Sequence, residues 1–338
     1  MTFMHAKRQG PVLVYMPDRG IGDLMWHLPI IRAIARKAPS GQVVLATRPA
    51  TRAAEVLAVE PTVERIEYLT YHSGALKTFR EIADFYRLCR RVRPSSVWIL
   101  EKIGRPAQAA WLAGVPDRRG FGLGHSSQER WLSPGPTLPK SMRGAHRIEK
   151  LEAFGAMHGL TIESREPALR VDSRQIEAVA TRFADLPKPW VVFGPGAVDA
   201  YKRWPLENFA RLADLIAPDV GTIFWLGGPQ EAQDFANGLR QLANPAKSRL
   251  TCDLTLDASA ALISQSALFV GNDSGPMNLA AAVGTPAIGL FGRTPLLSYS
   301  RWLFAVPSPT QDLADLPVAT VVAMVDDVRR RHPWNGDA

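Results

Sequence analysis

Cysteine is scarce in this chain. Two residues in 338, Cys89 and Cys252, stand far apart in unlike contexts. Neither belongs to a Cys-x-x-Cys pair or a cysteine–histidine cluster, which argues against a disulfide framework and a structural zinc site. Long apolar runs are also missing. The stretch from Ala258 to Gly292 carries one charge, Asp273, but Gly271, Gly275, Pro276, Gly284 and Pro286 interrupt it. A membrane-spanning helix needs about 20 continuous apolar residues, so the stretch reads as a buried α/β core. The opening "MTFMHAKRQGPVLVYMP" has too short an apolar run for a signal peptide, and no small-residue cleavage site follows. No G-x-G-x-x-G follows the first strand-like run, so a nicotinamide-dependent dehydrogenase is poorly supported. There is no short internal repeat and no low-complexity tract. The expectation is a cytosolic chain.

What is present is an ordinary globular composition, 46% apolar and 21% charged. A length of 338 residues suits two domains of about 150 each. Strand-like runs at 11–16, 42–47, 63–69 and 95–100 alternate with helix-like stretches over 24–35 and near 50–59, 77–92 and 105–113. After a polar, aperiodic segment at 161–173 the alternation restarts. Strands fall at 190–195, 221–228, 267–272 and 286–292, with helices at 173–184, 206–216, 230–242, 258–265, from Ser274, and at 318–331. Strands separated by helices of this length imply parallel sheets, because each crossover needs a covering helix. The reading is two doubly wound, Rossmann-like parallel-sheet domains facing across a cleft. Ligands then bind beyond the carboxyl ends of strands.

Net charge is +8, from 40 basic and 32 acidic residues. Between Gly104 and Lys150 eight basic residues (Arg105, Arg118, Arg119, Arg130, Lys140, Arg143, Arg147, Lys150) face three acids, Asp117, Glu129 and Glu149. The stretch is either an ordinary solvated surface or a face that receives an anion: a phosphorylated saccharide, an acidic headgroup or nucleic acid. With three aromatics in it and no nucleic-acid motif, nucleic acid is the weakest of these.

Three short segments carry chemistry. In "PDRGIGDLMWHLP" (17–29), Gly20 and Gly22 permit a sharp turn and Asp23 arrives at a helix start. Asp23 is then an N-cap group or a carboxylate placed to accept a proton. In "FGPGAVDAYKRWPLENFARL" (193–212), exposed amides and Lys202 make a cradle for phosphate oxygens, although Lys202 equally suits an ordinary loop. In "FVGNDSGPMNLAAAVGTPAIGLFG" (269–292), Ser274 and Gly275 open a helix whose free N–H groups favour an anion, while Asp273 would repel one. Its task is then to order the loop or orient a sugar.

In this order and spacing the three segments resemble glycosyltransferase family 9, the lipopolysaccharide heptosyltransferases. Gly22-Asp23 with Pro29 matches the family's G-D…P, "GPGAVDAYKRWP" its P-G…K-x-W-P loop, and "GNDSGPMNLAAAVGTPAIGLFG" its third motif. "WLGG" with "PQEAQ", and "DLTLDASAALI", fall at equivalent stretches. The resemblance implies a GT-B fold: an acceptor domain over 1–165, a donor domain over 166–316, and a helix over 317–332 packing back on the first domain. It implies inverting transfer without a metal or other cofactor, and no D-x-D, the carboxylate pair that would hold a divalent ion, occurs in the chain.

Asp23 would be the general base, and Lys202 would offset charge on the leaving diphosphate. Gly196, Ala197, Lys202, Glu231, Asp273, Ser274, Gly275 and Asn278 would bind an ADP-sugar. Gly22, Arg105, Arg118, Arg119 and Arg143 would bind an anionic glycolipid or saccharide acceptor, at the inner face of the membrane. One position departs from the pattern: Asn278 stands where the family usually has His, and an amide can donate a hydrogen bond but cannot take up a proton. Two other readings stay open, a sugar-nucleotide-binding protein without chemistry and a sugar-nucleotide epimerase.

Overall fold

The computed structural model describes residues 10–18 and 20–334. They form two compact units that meet in sequence between Arg165 and Glu166. In the first unit β1 (Val12–Tyr15) leads to α1 (Ile21–Lys37), β2 (Val43–Thr47), the single turn α2 (Ala53–Val56) and β3 (Val63–Tyr68). Then follow α3 (Lys77–Val92), β4 (Ser96–Ile99), α4 (Gly104–Leu112), β5 (Asp117–Gly120), the short α5 (Ser126–Glu129) and α6 (Arg147–Met157). The sheet order is β3-β2-β1-β4-β5, and every pairing is parallel.

All four residues of β1 are buried, as its unbroken apolar run requires of a strand covered on both faces. Helix α1 begins where Gly20 leaves the extended conformation, and Asp23 in its first turn accepts the Gly20 N–H at 3.0 Å. That contact satisfies one of the donors a helix start leaves over. Arg36 and Lys37 close the helix at its negative end.

The second unit opens with α7 (Ser173–Arg182) and β6 (Trp190–Gly194), followed by α8 (Leu206–Ile216), β7 (Thr222–Leu226), α9 (Ala232–Leu239) and β8 (Ser248–Thr251). It continues through α10 (Leu256–Ser264), β9 (Leu268–Asn272), α11 (Gly275–Val283), β10 (Ala287–Phe291), β11 (Leu303–Pro307) and α12 (Val318–Arg331). The order is β11-β10-β9-β6-β7-β8, again parallel throughout. Phe193, Phe209, Trp204 and Trp225 form an aromatic cluster, with ring centroids 4.9 Å apart for Trp204–Phe209 and 5.6 Å for Phe193–Phe209.

Two differences from the sequence reading have physical causes. Strands β5, β8 and β11 and helix α6 were not anticipated. The helix expected near 50–59 is a 3-10 turn, Pro49–Thr51, followed by one α-turn, Ala53–Val56. Helix α12 turns Val321, Val325 and Val328 into the second unit's own core and packs there against α8 and β11.

Candidate functional site

In the first sheet β1 and β4 are neighbours whose connections leave in opposite directions, β1 toward β2 and β4 toward β5. Such a switch point opens a crevice at the carboxyl ends. Asp18 follows β1, Asp23 and His27 lie on α1, Glu101 follows β4, and Arg147 opens α6. Arg147 draws them together: its Nη2 lies 3.0 Å from Asp18 Oδ1 and 2.5 Å from Glu101 Oε2. His27 is fully buried, with Nδ1 2.6 Å from the Asp23 carbonyl oxygen and Nε2 3.5 Å from Asp18 Oδ2.

The electrostatics follow from burial in this cluster. Burial pushes the Asp23 carboxyl above the usual aspartate range and the charge of Asp18 adds to it, against the Gly20 N–H, His27 and Arg147. Burial likewise raises Asp18, with Arg147 opposing. Burial also pushes Glu101 up, but Arg147 and the Lys102 N–H outweigh it and leave Glu101 below its ordinary value. Asp23 is thus a carboxylate at a helix start whose proton affinity is raised, the property a general base needs near neutral pH. Gly22 is buried in the first turn beside it.

The arginines expected to receive an acceptor do not form one face. Arg118 donates to the carbonyls of Trp131 at 2.7 Å and Val115 at 2.5 Å. Arg119 pairs with Asp117 and lies 4.7 Å over the Trp98 ring. Arg143 donates to the carbonyls of Leu123 and Gly124 at 2.8 and 3.0 Å. These three guanidinium groups are engaged with their own chain. Arg105 differs. Although paired with Glu81 at 2.6 Å, it borders an open recess of about 570 Å³ together with Lys102, His125, Arg130 and Trp131. Lys102 and Arg130 were not singled out beforehand, because nothing in their local sequence separates them from other basic residues.

The second sheet has its switch point between β6 and β9. Asn272, at the end of β9 and wholly buried, accepts the Trp204 N–H at 3.0 Å and donates to the Pro195 carbonyl at 2.6 Å. One side chain therefore ties both ends of the loop after β6. Trp204 is fixed a second time by its indole N–H on the Leu316 carbonyl at 3.0 Å. Two residues before it, Lys202 reaches Asp273 Oδ2 at 3.0 Å. Ser274 and Gly275 follow at the N-terminus of α11, and the buried Ser274 Oγ has no hydrogen-bond partner among the described residues. Glu231 accepts the Gly228 N–H at 2.8 Å and lies so close to Gly196 that a Cβ there would overlap its carboxylate. Ala197 is buried nearby, whereas Val198 is 98% exposed.

Lys202, Asp273, Ser274 and Gly275 are thus gathered at this switch point, and Gly196 and Glu231 at the strand end beside it. Asn278 is not presented in the same way. Its amide donates to the Ser274 carbonyl at 3.0 Å and accepts from the Tyr299 hydroxyl at 2.8 Å, and the residue is 3% exposed. It holds α11 to the segment after β10. Asn272, Asp18, His27, Glu101 and Arg147 were missed as site residues. Their only advance signal was position: all but His27 and Arg147 stand within three residues of a strand's carboxyl end.

Two parallel Rossmann-like sheets, each with charged side chains gathered at its switch point, make the GT-B type of fold. Residues 105–302 match the model of Glycosyltransferase family 9 (heptosyltransferase), and the chain belongs to that family. Among similar proteins is lipopolysaccharide heptosyltransferase 3 of Escherichia coli K12, 24% identical over 83% of this chain and 82% of that protein. Another Escherichia coli lipopolysaccharide heptosyltransferase 3 is 29% identical over 40% of this chain, which spans 46% of that relative's length. Solved structures with the same fold include Escherichia coli ADP-heptose lps heptosyltransferase II, TM-score 0.75 at 21% identity, covering 95% of this chain and 99% of that one. Escherichia coli heptosyltransferase WaaC with ADP superposes with TM-score 0.72 at 17% identity, covering 95% and 98%. Among the described residues no helix is long and apolar enough to cross a membrane.

Proposed function

We propose that this glycosyltransferase moves a heptose from an ADP-heptose to an anionic saccharide acceptor of the lipopolysaccharide core, by inverting displacement and without a metal. The observation that carries the donor half is the Lys202–Asp273 pair beside the first amides of α11. An ammonium group has three donors and no acceptor. Asp273 takes one of them and holds Lys202 in place, and the remaining two meet the diphosphate oxygens. The α11 amides and the orphaned Ser274 hydroxyl add donors where negative charge develops on the leaving group. Glu231, beside Gly196, accepts hydrogen bonds from ribose hydroxyls. The choice of ADP rests on the relatives: an ADP-heptose lps heptosyltransferase II and heptosyltransferase WaaC with ADP are among the superposed proteins.

In the first unit the acceptor's charge is met by Lys102, Arg105 and Arg130 around the recess. Asp23 takes the proton of the attacking hydroxyl as that oxygen bonds to the anomeric carbon and the carbon–oxygen bond to the diphosphate breaks. A general base contributes about 10²–10⁴ in rate. The acceptor's lipid portion brings the enzyme to the inner face of the membrane.

A nucleotide-sugar screen tests the donor. ADP-heptose and ADP should raise the second unit's melting temperature. A saturating ligand at about 100 times its dissociation constant adds roughly 2.7 kcal/mol. UDP- and GDP-sugars should not. Stabilisation by UDP-N-acetylglucosamine, with its conversion in the absence of any acceptor, would instead favour an epimerase. Several epimerases share the fold, with TM-scores of 0.53–0.55.

A further inference from the structure

Behind Asp23 lie two buried polar atoms that face each other, Asp18 Oδ2 and His27 Nε2, 3.5 Å apart, and neither has a hydrogen-bond partner among the described residues. The tautomer of the ring is set by its other nitrogen. Nδ1 lies 2.6 Å from the Asp23 carbonyl oxygen, which can only accept, so Nδ1 carries a hydrogen. In an uncharged ring Nε2 then presents a bare lone pair. Asp18 Oδ1 already accepts from Arg147 at 3.0 Å, so Oδ2 is the oxygen that meets that lone pair. Two lone pairs in a dry pocket repel, and a proton between them turns the repulsion into a hydrogen bond.

We infer that Asp18 and His27 hold one proton between them and together act as a positioning pair for Asp23. The inference rests on the reading of Asp23 as the base. The pair acts on it twice. His27 is clamped between Asp18 and the main-chain carbonyl of Asp23, which steadies the first turn of α1. A protonated pair also adds no net charge beside Asp23. The charged groups facing the pair are then Asp23 on α1, Glu101 after β4 and Arg147 on α6. An ionised Asp18 beside an uncharged His27 would add a second anion next to Asp23. Burial raises Asp18 and lowers His27, which favours the arrangement with the proton on Asp18, donated to Nε2, over an imidazolium.

The test uses the full chain labelled with ¹³C-carboxyl aspartate and ¹⁵N-histidine, with Asp18→Asn and His27→Leu assigning the signals. At pH 7 the pair should show one proton, as a protonated Asp18 or as an imidazolium. An ionised Asp18 together with an uncharged ring overturns the inference. In turnover, His27→Leu leaves Asp18 without its partner and it ionises, so the acid limb of kcat moves up by about one pH unit. His27→Leu with Asp18→Asn should return the limb to its original place. If His27 only fills space, kcat drops in equal proportion at every pH and the limb stays. Should His27→Leu fail to fold, Asp18→Asn alone still assigns the carboxyl signal. If Asp23→Asn keeps full turnover, the base assignment falls, while the resonance measurement still decides the pair.

Discussion

Asn272→Leu should weaken the second unit and its donor site together. The substitution keeps the volume of the side chain nearly constant, so the cavity contribution is small. What it removes is the acceptor for the Trp204 N–H and the donor to the Pro195 carbonyl, bonds of 3.0 and 2.6 Å around a wholly buried side chain. Each stranded group costs about 1–3 kcal/mol, which gives roughly 2–6 kcal/mol. The carbonyl can recover part of its loss through local adjustment, so about 3 kcal/mol is expected. With a urea m-value of about 2 kcal/mol/M, the midpoint of the second unit's transition should fall by about 1.5 M. Tryptophan fluorescence reads it, since Trp190, Trp204 and Trp225 are all buried there. Hydrogen exchange at the Trp204 amide should speed up, and ADP should bind more weakly because Lys202 is no longer held. A midpoint that moves by less than about 0.25 M, with ADP affinity unchanged, would refute the reasoning that one amide organises this loop.

Other predictions concern the charged groups. Asp23→Asn should lower kcat by about 10²–10⁴ with little change in folding. With Asp23 as the proposed base, its ionised form is the active one. Since burial raises its carboxyl, kcat should fall with decreasing pH along a limb above the usual aspartate value of about 3.9; a limb at or below that value contradicts the proposal. Lys202→Met should reduce kcat by about 10²–10³ and weaken ADP binding, measured by calorimetry, and Arg would rescue it only in part because its planar group differs from a compact ammonium. Arg147→Met removes the cation beside Asp18 and Glu101. It should cost about 3–5 kcal/mol near neutral pH by stranding the Glu101 charge, with much of the loss recovered in acid as Glu101 takes up a proton.

How far the sequence was readable depended on where each element sits in its sheet. The unbroken apolar runs of β1, β6 and β9 lie at or next to the middle of their sheets and were legible, because burial on both faces leaves only one kind of residue. The three strands that were missed, β5, β8 and β11, are all edge strands. An edge has one bonded neighbour and tolerates charge, so "DRRG" and "SRLT" show no strand pattern. Edge strand β3 was found because its polar and apolar residues vary along a longer run. Helix α6 was obscured by Gly155 within it, and by the charge of the stretch it belongs to.

The same distinction holds for the sites. Asp23, Lys202 and Asp273 stood out in the sequence because each lies within a motif with local glycines or prolines. Arg147 was not, since its partner Asp18 is 129 residues away in sequence. The basic stretch shows a related effect. Composition counts guanidinium groups but does not reveal that Arg118 and Arg143 are consumed by carbonyls of their own chain.

Gly196 and Val198 stand two residues apart and set opposite terms for anyone who would retune this enzyme. The first has no room for even a methyl group against Glu231, so every mutant library that varies it would consist of variants with a displaced carboxylate. The second projects almost entirely into solvent, and randomising it would leave the loop's anchors untouched. Directed evolution toward other donors should therefore hold the glycine constant and sample the valine.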